Sequence, residues 1–227
     1  MAIDLAAVND YVATCKMFTE GGRYQFLWRF FIPEEKYKAR YEVQREHSNI
    51  SEWVRKGYVT VTPGNTIDDS FVLASIYEDL SRYDVKAIAY DPWNSKTVAS
   101  DLTERGANMQ PFTQTIGNFA YPTREFERFV GLGLIDHYAN PVARWMLSNV
   151  VIREDVNGNR RPDKAKSTEK IDGIVAALMA LGQYLSDEED NTSVYEHRGL
   201  LGYSDADDNE DDDNTTISYN HYEYYDD

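Results

Sequence analysis

Apolar positions along the chain follow two rhythms, and the pattern changes from alternation to three- and four-residue spacing several times. Ile3 to Leu5 and Tyr11 to Phe18 read as strand, either two pieces or one interrupted strand. Gly21-Gly22 supplies a turn and Arg23 to Ile32 another strand, so the chain opens on a β-hairpin. Pro33-Glu34-Glu35 starts a polar helix reaching about His47, with proline where a first turn tolerates it. Tyr58 to Thr62 is a short strand closed by Pro63-Gly64. Val72, Ile76, Leu80 and Tyr83 recur at helical spacing and predict an amphipathic helix over Asp69 to Arg82. Val85 to Tyr90 is an apolar strand ending at Asp91-Pro92, and Ser95 to Arg105 a helix stopped by Gly106. Met109 to Phe112 follows as strand, then Thr123 to Val130 and Pro141 to Leu147 as helices. Val150 to Lys164 predicts a hairpin turning at Asn157-Gly158. The last helix, Thr168 to Leu185, carries one stripe of Ile171, Ile174, Val175, Leu178 and Leu181. A hairpin followed by strand–helix alternation predicts an α/β fold: a mixed sheet with helices on its faces.

Charge divides the chain in two. The net charge is −16, which argues against a nucleic-acid partner until its distribution is examined. Residues 186–227 hold 15 acids and one base, Arg198, including the run Asp205 to Asp213. Residues 1–185 hold 24 acids and 22 bases, so they are nearly neutral. Self-repulsion and few apolar anchors predict a disordered acidic tail over 186–227, behind one folded domain at 1–185. That tail could mimic nucleic acid in a basic groove, dock on another component, or only keep the protein soluble.

Other function classes are excluded more simply. No apolar run reaches the roughly 18 residues of a membrane-spanning helix, and the opening residues lack a basic signal-peptide region. One cysteine, Cys15, permits no internal disulfide and fits a reducing cytoplasm; its apolar strand context predicts a buried structural thiol. There is no internal repeat and no glycine-rich phosphate loop, so an ATPase centre is not encoded.

Three acids border apolar sequence, where an unpaired carboxylate is costly to bury. They are Asp4 in Ala-Ile-Asp-Leu, Asp91 at the end of Ala-Tyr-Asp-Pro-Trp-Asn, and Asp172 in the first turn of the final helix. A shared divalent cation would satisfy all three, and ligands of open sheets gather beyond the carboxyl ends of strands, where Asp91 should lie. Mg²⁺ suits oxygen donors, and a pair of ions can cleave a phosphodiester. Spacing alone favours plainer roles: Asp4 a strand end, Asp91 a turn cap, Asp172 an offset to its helix dipole.

The segments around these acids resemble the nuclease domain of the large terminase subunit of tailed double-stranded-DNA bacteriophages. The similarity runs from about Ile3 to Leu185. It comprises Ile3-Asp-Leu-Ala-Ala-Val-Asn-Asp10, Phe31-Ile-Pro-Glu-Glu35, Gly57-Tyr-Val-Thr-Val-Thr-Pro-Gly64 and Ile88-Ala-Tyr-Asp-Pro-Trp-Asn94. Asn140-Pro-Val-Ala-Arg-Trp-Met146 and the stretch from Lys164 to Gly182 complete it, in the family's order. The resemblance implies an RNase H-like fold and a catalytic acid cluster on Asp4, Asp91 and Asp172 holding two Mg²⁺ or Mn²⁺ ions. Asp10 matches a further acid with a lesser, outer or second-ion role. It implies an endonuclease that cuts concatemeric double-stranded viral DNA during packaging in the host cell cytoplasm. Portal protein and small terminase subunit would be partners of the full-length protein. The family's packaging ATPase domain has no counterpart here, which suggests an excised domain or a stand-alone nuclease. The rivals are another RNase H-like nuclease such as a junction resolvase, and a non-catalytic module that docks the packaging motor.

Arg153, Arg160, Arg161, Lys164, Lys166 and Lys170 run through the second hairpin into Asp172. We read them as a path for the DNA backbone, against a solvated basic hairpin. Trp93 and Trp145 could stack on bases, but core or rim packing is the expected role, and a lone His137 is expected to be structural.

Overall fold

The computed structural model describes residues 1–5, 11–43 and 49–198. Strand β1 (Ala2–Asp4) pairs antiparallel with β2 (Val12–Glu20), which pairs antiparallel with β3 (Arg23–Pro33). The opening segment is therefore two strands facing opposite ways, not one interrupted strand. The β2–β3 hairpin closes with Glu20 opposite Arg23 across Gly21-Gly22, both glycines at positive φ, as the tight turn requires.

After α1 (Glu34–Val43) and a short α2 (Ile50–Arg55), β4 (Val59–Thr62) joins β3 in parallel. Helix α3 (Asp69–Arg82) leads to β5 (Ile88–Tyr90), parallel to β1, and α4 (Lys96–Glu104) to β6 (Met109–Pro111), parallel to β5. The sheet order is β4-β3-β2-β1-β5-β6, and β7 (Ile135–Asp136) adds to the other end of β3. This is the mixed, helix-flanked sheet that the alternation predicts.

Pleating sends neighbouring residues to opposite faces. Ile3, Phe31 and Ile88 face one side, where they meet Val72 and Ile76 of α3 and Val98 and Leu102 of α4. Ala2, Phe30 and Ala89 face the other, against α5 (Ile116–Gly131), α6 (Pro141–Ser148) and α7 (Asp172–Arg198).

Helix α7 is more central than its apolar stripe predicts: every residue from Ile171 to Gly182 is buried. A helix apolar all round belongs inside a core. Gly173 and Gly182 permit the close approach, because a Cβ at these sites would sit 2.6 Å from Phe30 and 2.7 Å from Phe112.

Several elements depart from the sequence reading. Helix α5 begins before Pro122 rather than after it, because Thr115 caps Asn118 N–H and buried Phe119 anchors the early turns. Helix α7 continues past Leu185 to Arg198, and the rest of the expected tail lies outside the described residues. Its acids there make links at four-residue spacing, Gln183 to Asp187 and Tyr184 to Glu188. Met1–Asp190 form one compact unit. The acid run from Asp205 to Asp213 lies outside the described residues. The basic hairpin is shorter than expected, β8 (Ile152–Glu154) against β9 (Arg160–Pro162).

Candidate active site

Parallel pairing of β1 and β5 sets Ala2 beside Ala89 and Ile3 beside Tyr90, so Asp4 and Asp91 are the next positions in register at one edge of the sheet. Both strands run out at that edge, beyond which ligands of open sheets bind. Asp172, the first residue of α7, is brought to Asp4 by a third group. Lys164 Nζ donates to Asp4 Oδ2 at 2.6 Å and lies 3.2 Å from Asp172 Oδ1. All three acids are buried, Asp4 almost completely, at 1% exposure. Asp91 Oδ1 accepts from Trp93 N–H at 3.2 Å, and its carbonyl oxygen accepts from Asn94 and Ser95 N–H, closing a turn around the acid.

Lys164 is presented by a tight turn. Asp163 Oδ1 accepts from Ala165 and Lys166 N–H at 3.0 and 3.2 Å, and Ser167 Oγ donates to the Asp163 carbonyl. Crowding by protein atoms works against the ammonium's charge, yet the Asp4 and Asp172 carboxylates hold its pKa above the ordinary lysine range. The lysine assigned from sequence to a DNA path thus neutralises two of the three acids.

Gln114 is the partner that sequence reasoning missed. Its Nε2 donates to Asp4 Oδ1 at 3.0 Å, while its backbone carbonyl accepts from Arg161 Nη1 at 2.6 Å. One signal was available: Gln114 lies just past β6, at the same strand-end edge as Asp4 and Asp91. Arg160 reaches Glu127 of α5 at 2.5 Å, so Arg160 and Arg161 fasten the hairpin to the body. Arg153 and Lys166 are exposed, and Lys170 is half-buried. Asp10 lies outside the described residues.

Among the described residues, no three Asp, Glu, His or Cys side chains are gathered closely enough to hold an ion as they stand. What the donor chemistry does show is an oxygen-lined place for positive charge, filled by an ammonium. Trp145 packs at a core rim against Tyr11 and Trp53, as expected. Trp93 does not: it is 85% exposed, because the Asp91 turn projects it outward. His137 lines an apolar cavity of about 250 Å³ with Trp28, Phe126 and Leu147.

Residues 1–188 match the family model of the terminase large subunit, endonuclease domain. The chain belongs to that family. The terminase endonuclease domain described here is 30% identical over 183 residues to the "Terminase, large subunit" of Enterobacteria phage HK97, covering 79% of this chain and 36% of that protein. It is 28% identical over 205 residues to Protein YmfN of Escherichia coli K12, covering 85% and 44%. The crystal structure of the HK97 bacteriophage large terminase superposes with a TM-score of 0.73 at 30% identity, over 80% of this chain and 38% of that one. The chain thus spans less than half the length of these relatives.

Proposed function

We propose that this terminase domain is a divalent-metal-dependent endonuclease that cuts concatemeric double-stranded viral DNA as packaging begins and ends. The observation that carries the reading is the meeting of Asp4 and Asp172 on one cation, with Asp91 next in register to Asp4. The donors are hard carboxylate oxygens, which fit Mg²⁺ or Mn²⁺. Asp4, Asp91 and Asp172 would hold two such ions. Bound there, these would lower the pKa of the attacking water and offset charge building on the scissile phosphate.

The chain's own groups prepare that site. Gln114 fixes the orientation of Asp4, and the Asp91 turn keeps its carboxylate at the sheet edge. Lys164 balances the acids while no divalent ion is bound, and its release leaves a cation beside the phosphate position. Arg153, Lys166 and Lys170 supply charge for the DNA backbone without reading bases. The working partners of the full-length protein would be the portal protein and the small terminase subunit, in the host cytoplasm. No described helix is long and apolar enough to cross a membrane.

Plasmid cleavage with Mg²⁺, Mn²⁺ or EDTA tests the reading, comparing wild type with Asp91→Asn. Nicking should require metal and disappear in the variant while its Tm stays within a few degrees. Branched DNA cut far faster than linear duplex would transfer the reading to a junction resolvase. No metal-stimulated nicking at any protein concentration would leave a docking module only.

A further inference from the structure

Trp93 is displayed beside Asp91 without a packing role. Its side chain is 85% exposed, whereas Trp53 is buried and Trp28 and Trp145 are partly covered. An indole left in water forgoes the burial that usually decides where tryptophan goes. The segment that carries it is nevertheless restrained. Trp93 N–H donates to the Asp91 side chain, Asn94 and Ser95 N–H donate to the Asp91 carbonyl, and Pro92 has a fixed φ. The backbone that carries the ring is therefore held in a set relation to one of the acids. Three residues on, exposed Lys96 opens α4, whose first turn contains no acid.

A projecting aromatic ring with a lysine close behind it, and no acid in the first turn of α4, matches the chemistry of a nucleic-acid strand. The ring offers a face to a base and the ammonium a charge to a phosphate. Both stand beside Asp91, where the phosphodiester to be cut would lie. We propose that Trp93 contacts the nucleobase next to the scissile phosphate, with Lys96 on a neighbouring phosphate. This rests on the nuclease reading given above. In duplex DNA an inserted ring must part a base step, and pyrimidine–purine steps part most easily. Trp93 therefore supplies a preference for flexible steps in an enzyme whose other cations touch only the backbone.

The experiment uses the whole chain, a duplex oligonucleotide with 2-aminopurine at a central TA step, and Ca²⁺ in place of Mg²⁺ to slow cleavage. DNA should shield Trp93 from acrylamide quenching, and protein should brighten the 2-aminopurine as the step unstacks. Trp93→Ala should bind about tenfold more weakly, about 1.4 kcal/mol, and lose the excess of cuts at TA and CA steps. Trp93→Phe should keep most of both, and all variants should share the wild-type Tm. Lys96→Gln should reduce the salt slope of binding by about one. If DNA binds and is cut while the indole stays open to acrylamide and Trp93→Ala behaves as wild type, the proposal falls and the ring belongs to a protein contact. If neither binding nor cutting occurs, the nuclease reading falls with it.

Discussion

Replacing Lys164 by methionine keeps the aliphatic stem and removes a charge that Asp4 and Asp172 share. The ammonium is 2.6 Å from Asp4 and 3.2 Å from Asp172; both acids are buried, while the lysine side chain is 41% exposed. Removing one partner of a fully buried ion pair costs about 3–5 kcal/mol, because the remaining charge is uncompensated. Solvent reaches this lysine, and exposed pairs are worth only ~0–1 kcal/mol, so the expected loss is between these limits, about 1–3 kcal/mol. At roughly 2–4 °C per kcal/mol for a domain of this size, the variant should melt ~2–12 °C below wild type in EDTA. Millimolar Mg²⁺ should return most of the loss, since a ligand that binds only the folded state stabilises it. Wild type should gain less, because its own ammonium competes for the same oxygens. Scanning calorimetry in EDTA and across a Mg²⁺ series measures both effects, and titration calorimetry gives the metal affinity directly. Equal Tm values in EDTA would refute the charge-balance argument. So would a Mg²⁺-induced rise no larger in the variant than in wild type.

Three further outcomes test the packing that carries the site. Gly173→Ala would drive a Cβ to 2.6 Å from Phe30 and 3.0 Å from Met146 Sδ; overpacking of this kind should cost about 1–3 kcal/mol in a denaturant melt, and a neutral result would mean that α7 can retreat from the sheet. Asp79→Ala strands Lys16, whose ammonium is 2.6 Å from Asp79 in a buried pair that Arg29 also joins; we expect a loss of about 3–5 kcal/mol, and less than about 1 would show that Lys16 reaches water. Burial pushes the Cys15 thiol well above its ordinary range, so it stays protonated through pH 7–9. A disulfide reagent at pH 8 should label it only after unfolding, and rapid labelling of native protein would contradict its buried place.

Local pattern made much of the fold legible. Helix α3 occupies the residues that its Val72–Ile76 spacing marks, and Gly21-Gly22 closes its hairpin as a two-residue turn, whereas Asn157-Gly158 turns the second hairpin within a longer loop between Glu154 and Arg160. Elements with little stability of their own were not legible. Two-residue β7 exists because Tyr24 and Gln25 of β3 offer it a register, and short α2 because Ile50 and Trp53 enter the core. Proline hid the front half of α5, since the signal that ends most helices is outweighed there by a cap and buried aromatics. The exposure of Trp93 was hidden too, because the Asp91 turn, not the residue type, directs the ring outward.

By itself the chain determined which residues seek the core, where it turns, and that Asp4, Asp91 and Asp172 stand beside apolar segments where a bare carboxylate needs a partner. Only the tertiary structure decided which partner each acid has. The register of β1 on β5 aligns Asp4 with Asp91, and the path of α7 across the sheet brings Asp172 to the lysine that Asp4 already holds. An ion contact works over a few ångströms, and separation along the chain carries no such distance.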